Sequence, residues 1–287
     1  MANTLPTFNV FSVDKFFPTL KPRLQKLSRV TNDFSTEISK PGQSLTLNYQ
    51  SAISASRYGG SYTTPTDETV GSVTLTIQKP LFKEFYLDPE ELGSFTPEYL
   101  SSRMAGAVQS VFNEVEKLVL AVAVQSPNPL ASVSASAAGA FAAIQSGSNF
   151  IRISGSIAGP VTYVVPQAVY TAMESDAKAS GYTAWNTIAS GVEEFQYGRA
   201  LVSLSSNIAT TTAVFLNADS VAVGLRLPPL IEGTKARYIV TDEQTGASLA
   251  VDLIPDPIVV GGLRGRAHVL PAIARGRQGA TATYTIA

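Results

Sequence analysis

TPEYLSSRMAGAVQSVFNEVEKLVLAVAVQ, residues 96–125, carries the strongest helix signal in the chain. Thr96 is suited to cap an N-terminus, Pro97 to the first helical position, and Glu98 to the positive end of the helix dipole. Apolar residues recur at Leu100, Met104, Val108, Val111, Val115, Leu118, Val119 and Val122, the three-four spacing of one buried face. Arg103, Gln109, Asn113, Glu116 and Lys117 fall mostly between them, and Ser126-Pro127-Asn128-Pro129 stops the run. About thirty residues at 1.5 Å each make a rod of roughly 45 Å. That is long for an ordinary globular domain.

Upstream, residues 42–88 read as β. Leu45, Leu47 and Tyr49 alternate with Thr46 and Asn48, and Val73, Leu75 and Ile77 alternate with Ser72, Thr74 and Thr76. Between the two runs lies SAISASRYGGSYTTPTDET, with Gly59-Gly60 and Pro65 as turn signals. The expectation is a long two-stranded ribbon with a mobile tip. Such a ribbon is marginal alone in water and needs a surface to lie on. FKEFYLD, residues 82–88, follows as a short strand leading into the helix. Residues 1–41 mix Phe8, Phe11, Phe16 and Phe17 with Lys15, Lys21, Arg23, Lys26 and Arg29, broken by four prolines. Residues 21–31 suit a short helix. The segment is too broken to own a core and too apolar for a solvated tail, which fits an arm lying on another surface; the plainer alternative is a frayed terminus.

Downstream, a short helix is expected around 137–144, strands at 150–153 and 161–165, and a second helix from Pro166 to near Gly181. Apolar segments follow at 194–203, 213–216, 221–227, 238–241 and 248–253, with strands near His268 and at 281–286. Helices and strands mix without a regular βαβ alternation, which points to an α+β fold.

Composition narrows the function. The chain has 287 residues, 45% hydrophobic and only 15% charged, against about a quarter charged in ordinary soluble domains. Surface rich in Ser and Thr, or surface buried against neighbours, accounts for that. A net charge of −1 supplies no global field for nucleic acid. With no cysteine, disulfides and thiolate metal sites are excluded, and one histidine excludes any site needing two. No cleavable signal and no run long enough to span a bilayer is visible, so a cytosolically made soluble protein is expected.

Phosphate loops, dinucleotide fingerprints and nucleophile elbows are absent from the sequence; Gly261-Gly262-Leu263-Arg264-Gly265 and Gly155-Ser156-Ile157-Ala158-Gly159 match none of them. A serine-histidine-acid triad would have to use His268, which reads as structural. Among the carboxylate pairs, Glu90-Glu91, Glu193-Glu194 and Asp242-Glu243 point to opposite faces if extended, and Asp252 and Asp256 flank a proline turn and read as solvated. Two basic clusters stand out: Lys21, Arg23, Lys26 and Arg29 in the arm, and Arg264, Arg266, Arg275 and Arg277 near the end. Neither has the interleaved aromatics of a base-stacking platform. Pairing with carboxylates of neighbouring subunits is favoured over weak phosphate contact. No catalytic, cofactor-binding or metal-binding residue is assigned.

The order arm, β ribbon, long helix, compact mixed domain resembles the major capsid protein of tailed double-stranded DNA bacteriophages, the Hong Kong 97-like fold. VTYVVPQAVYTAM (161–173) is similar to the family's strand leading through proline into an axial-domain helix. GVEEFQYGRALVSLSSNI (191–208) is similar to its glycine-punctuated strand with a polar end, here Gly191, Phe195, Gly198, Val202 and Ser205-Ser206-Asn207. The resemblance implies an N-terminal arm (1–41), an extended β loop (42–80), a peripheral domain with the spine helix (81–130), a mainly axial domain (131–250), and C-terminal strands returning to the peripheral domain (251–287). It implies many copies forming pentamers and hexamers of an icosahedral virion shell around packaged DNA, made in the host cytoplasm. Portal, scaffold or decoration proteins would be partners, DNA contact would be weak and non-specific, and no membrane or cofactor would be involved. The spine-helix core would be Leu100, Met104, Val108, Val111, Val115, Leu118 and Val122. Inter-subunit contacts would involve Phe16, Phe17, Arg23, Arg29, Arg57, Tyr58 and Tyr62. Residues 44–77 contain no lysine, so the lysine–asparagine crosslink of some members is not expected. The short arm implies a separate scaffold or none. Rival readings are an encapsulin-type compartment sharing the fold, a β-rich viral tail or adhesin protein, and an enzyme.

Overall fold

The computed structural model describes residues 31–34, 43–50, 70–87, 97–125, 128–154, 157, 159–179, 194–197, 200–241 and 248–287. Its elements are β1 (Thr31–Asp33), β2 (Ser44–Gln50), β3 (Val70–Thr76), β4 (Leu81–Leu87), α1 (Pro97–Val124), α2 (Ala137–Asn149), β5 (Val161–Val165), α3 (Gln167–Ala179), β6 (Glu194–Tyr197), β7 (Ala200–Leu204), β8 (Thr212–Leu216), β9 (Val221–Arg226), β10 (Ala236–Thr241), β11 (Ser248–Pro255), β12 (Leu263–Arg275) and β13 (Thr281–Thr285). The expected arm helix at 21–31 lies outside the described residues, apart from Thr31, which begins β1.

The long helix forms as its periodicity requires. Leu100, Met104, Val108, Val111 and Val115 are buried in one core together with Ala107, Phe112, Val119, Leu120 and Ala123. Leu118 and Val122, expected in the same seam, are only half-buried and pack against its border. A second partner packs on another side of the helix. Asn207 Nδ2 donates to Asn113 Oδ1 at 3.1 Å, and Ser205 Oγ donates to Glu116 Oε1 at 2.8 Å. Asn113, Glu116 and Leu120 lie at i, i+3 and i+7 on one side of the helix. The turn after β7 covers that side, so Leu120 is buried and Asn113 and Glu116 serve as docking groups.

One sheet has the order β1-β9-β12-β11-β10, with β4 on the other side of β12. The thirteen-residue β12 is its axis: its first half pairs antiparallel with β4 and β11, its second with β9. Period-two alternation gives the sheet two faces. Phe85, Leu87, Val251, Leu253, Ala267 and Val269 join the core of α1. Gly265 lies opposite Phe85 in that register, where a Cβ would come within 2.0 Å of the ring, so the aromatic takes the place of a side chain there.

The ribbon β2–β3 is antiparallel as expected. Its base does not wait for a partner: Leu47, Leu75 and Ile77 are buried against Ala222, Leu270 and Ala272 on the outer face of the chain's own sheet. The small alanines leave a flat shelf for the strands. The expected tip lies outside the described residues.

The second sheet has the order β13-β8-β5-β7-β6. Val164, Val214 and Leu216 face the core of α1. Val161, Tyr163, Val165, Val202, Phe215 and Tyr284 form a separate core that includes Ala143, Ile144, Val169 and Met173 of the two shorter helices. Tyr163 stacks on Phe215 at 4.1 Å. Helix α2 runs to Asn149, capped by Ser136, beyond the end expected near 144. Residues Phe150–Ser154, expected as a strand, continue it as a π-helical turn. Gly147 permits this: a Cβ there would come within 2.6 Å of Phe215, so only glycine lets the helix lie flat on the ring and carry on.

Strands β9, β10 and all of β11 belong to the first sheet, whereas β13, the last strand of the chain, crosses to the second sheet to pair with β8. The sheet of α1 is completed by a hairpin from far along the chain, a pairing that carries no local signal.

Candidate assembly surfaces

The outer face of the first sheet is where charge and aromatic residues meet. Along β4, Phe82, Glu84 and Tyr86 point outward; in β12 their register partners are His268, Arg266 and Arg264. Arg266 Nε donates to Glu84 Oε1 at 2.7 Å, and Arg264 reaches Glu84 Oε2 at 3.4 Å and Asp256 at 3.7 Å. Arg264 also lies over the Tyr86 ring at 4.9 Å and Arg266 over Phe82 at 5.2 Å. Two expectations are corrected here. Arg264 and Arg266 are paired within their own chain rather than waiting for carboxylates of a neighbour. They are also interleaved with aromatics, because strand pairing brings in β4 from 180 residues away. The face remains available: Phe82 is 59% and Tyr86 54% exposed. Arginine and aromatic side chains together are the composition enriched in protein interfaces.

Beside this strip the polar groups sink. Asp252, expected in a solvated turn, is fully buried in β11. Arg237 of β10 grips it with both ends of the fork, Nε to Oδ1 at 2.6 Å and Nη2 to Oδ2 at 2.8 Å. His268 Nε2 lies 3.0 Å from Asp252 Oδ2. Burial holds the imidazole below its ordinary range, against the pull of the Asp252 charge, and Arg237 and Arg266 push the same way as burial. His268 is thus buried and bonded to a carboxylate of its own sheet. The signal that exposes this site is a charge inside an apolar period-two run, Val251-Asp252-Leu253, which is costly unless paired.

The turn joining β11 to β12 does the opposite. The Asp256 carboxylate accepts from the backbone N–H of Ile258 at 2.7 Å and of Val259 at 3.3 Å, and these bonds lower its pKa. Gly261 takes a left-handed φ of 84° to close the turn. The result is a well-braced tip with Ile258 81% and Val260 97% exposed. Consecutive β-branched apolar residues held out in water are unusual on a soluble monomer.

Of the other sequence-expected residues, Arg275 contacts the Gln125 carbonyl at the C-terminal end of α1, where a cation suits the dipole. Phe16, Phe17, Arg23, Arg29, Arg57, Tyr58 and Tyr62 lie outside the described residues. Among the described residues no cluster of His, Asp and Glu suits a metal ion, and no helix is long and apolar enough to cross a membrane.

No protein-family model matches the sequence, and no curated protein matches it. Solved structures do. A chain from Mycobacterium phage Che8 superimposes with a TM-score of 0.61 at 15% identity, over 90% of each chain. The capsid structure of the cyanophage P-SCSP1u gives a TM-score of 0.61 at 10% identity, over 92% of this chain and 88% of that one. The mature capsid of bacteriophage PhiM1 gives 0.51 at 8% identity, over 90% and 85%. The chain therefore has an α+β fold shared, nearly end to end, with phage capsid chains.

Proposed function

We propose that this protein is a phage major capsid protein of the Hong Kong 97-like fold, whose copies assemble into the icosahedral shell that encloses packaged double-stranded DNA. The carrying observation is the end-to-end likeness to phage capsid chains. In this reading α1 and the first sheet make the peripheral domain, and the second sheet with α2 and α3 makes the axial domain. The arm and ribbon tip reach neighbouring copies, with Phe16, Phe17, Arg23, Arg29, Arg57, Tyr58 and Tyr62 as contact residues. The Phe82–Tyr86 strip and the Ile258–Val260 tip add two braced surfaces of interface composition. Paired charges on the outer sheet face disfavour tight DNA binding, so contact with packaged DNA is weak and non-specific. The protein is structural rather than enzymatic, is made in the host cytoplasm and ends in the virion, with portal, scaffold or decoration proteins as partners.

Expression of the full chain and negative-stain microscopy test this directly. Closed shells of uniform diameter are the expected result; a discrete monomer at high concentration overturns the reading. Nucleic acid rather than a protein cargo inside particles from infected cells distinguishes a virion from an encapsulin-type compartment. Deleting residues 55–66 at the ribbon tip is expected to leave a folded, soluble subunit that forms no closed shells. Val260→Asp is expected to keep the subunit's melting temperature within about a degree or two, since an exposed substitution changes stability by about 0.5 kcal/mol or less. Shell yield falls instead. Unchanged particles would remove the tip from the assembly contacts.

A further inference from the structure

Asp252 is the meeting point of three strands. It is held by Arg237 of β10 and His268 of β12, and Arg237 also donates to the backbone carbonyls of Pro228 at 3.2 Å and Pro229 at 3.0 Å. One buried carboxylate thus ties together the β10 edge, the sheet axis and the connector that follows β9. The charges are balanced while His268 is neutral. Arg237, Arg264 and Arg266 face Asp252, Asp256 and Glu84 in direct pairs. The groups around the imidazole are Asp252 from β11, Arg237 from β10, Arg266 from β12 and Glu84 from β4; Lys83 lies on the opposite face, beside Ala267. Asp242 and Glu243 lie outside the described residues. The His268 side chain is 4% exposed, so a proton there adds charge that water barely reaches, next to two guanidinium groups.

We propose that Asp252, Arg237 and His268 form an acid-sensitive latch. With His268 neutral, the latch clamps β10 and the Pro228–Pro229 connector to the sheet. When His268 takes up a proton in mild acid, that edge opens while the second sheet stays closed. The sign follows from linkage. The unfolded chain binds the histidine proton near the ordinary value of 6.5, and the folded chain binds it only at lower pH. The histidine's contribution is therefore fully present above about pH 6.5 and is lost as pH falls from there through the folded value. In that window the opening equilibrium shifts by at most about tenfold per pH unit, the limit for one proton.

His268 is the only histidine in the chain, so hydrogen–deuterium exchange at its C2 position, read by mass spectrometry, reports one site without assignment. On the wild-type protein the expected titration midpoint lies below 6.5. Backbone amide exchange, corrected for intrinsic rate, is expected to rise in 227–241 between about pH 7 and about pH 5.5, while 161–165 and 212–216 stay protected. His268→Gln keeps a donor toward Asp252 but cannot titrate, and is expected to flatten that rise. A midpoint at or above 6.5, or amide protection at 227–241 that does not change with pH, overturns the latch. The exchange readouts on the wild-type protein decide the matter even if the variant does not fold.

Discussion

Val115→Asp abolishes folding of the subunit. Val115 is fully buried in the core between α1 and the two sheets, with Val108, Val111 and Val119 around it. A carboxylate there has no cation within the seam. Leaving an ion unpaired costs several kcal/mol, and protonating it instead still buries an unsatisfied acid. Whole domains are stable by only about 5–15 kcal/mol. The expected outcome is insoluble protein, or a chain without cooperative unfolding by circular dichroism. Val111→Asp behaves alike, for the same burial. Gln109→Asp, on an exposed turn of the same helix, keeps the fold and separates the effect of burial from the effect of a charge on α1. Soluble, assembling Val115→Asp protein would mean that the helix seam is placed wrongly.

Asp252→Ala is expected to destabilise by about 3–5 kcal/mol, the usual consequence of removing one partner from a buried ion pair. Arg237 loses both fork contacts, and His268 loses its acceptor. The denaturant midpoint reports the loss. Exchanging both members, Arg237→Met with Asp252→Leu, is expected to recover most of it, because well-packed apolar residues often replace a buried pair at little cost. An Asp252→Ala midpoint within about 0.5 kcal/mol of wild type would show the carboxylate to be an ordinary surface group.

These two sites differ in how visible they were. The seam of α1 is a local pattern: Leu100 to Val115 repeat at helical spacing, and any packing of that helix must bury them. The same pattern does not show that Leu118 and Val122 stay partly exposed at the border of that core, nor what packs on the other side of the helix. The contact of Asn207 with Asn113 joins residues 94 apart in sequence. The sequence around Asp252 reads as a solvated turn. Its partners come from two other strands, and its only local trace is a charge between Val251 and Leu253. Arg264 and Arg266 stand out in the sequence as a cluster, but their partner Glu84 lies 180 residues before Arg264 in the chain.

The sequence by itself determined most of the helices and strands, with Phe150–Ser154 and β1 as exceptions, and that this chain can form no disulfide or two-histidine site, because period, capping and composition act between near neighbours in the chain. The order of those segments was also enough to suggest the capsid architecture. Only the tertiary structure decided which strands share a sheet, which charges are paired within the chain, and that the ribbon's base rests on its own body. Those outcomes depend on contacts between residues far apart in sequence, whose free energy is gained only once the whole chain has closed around α1.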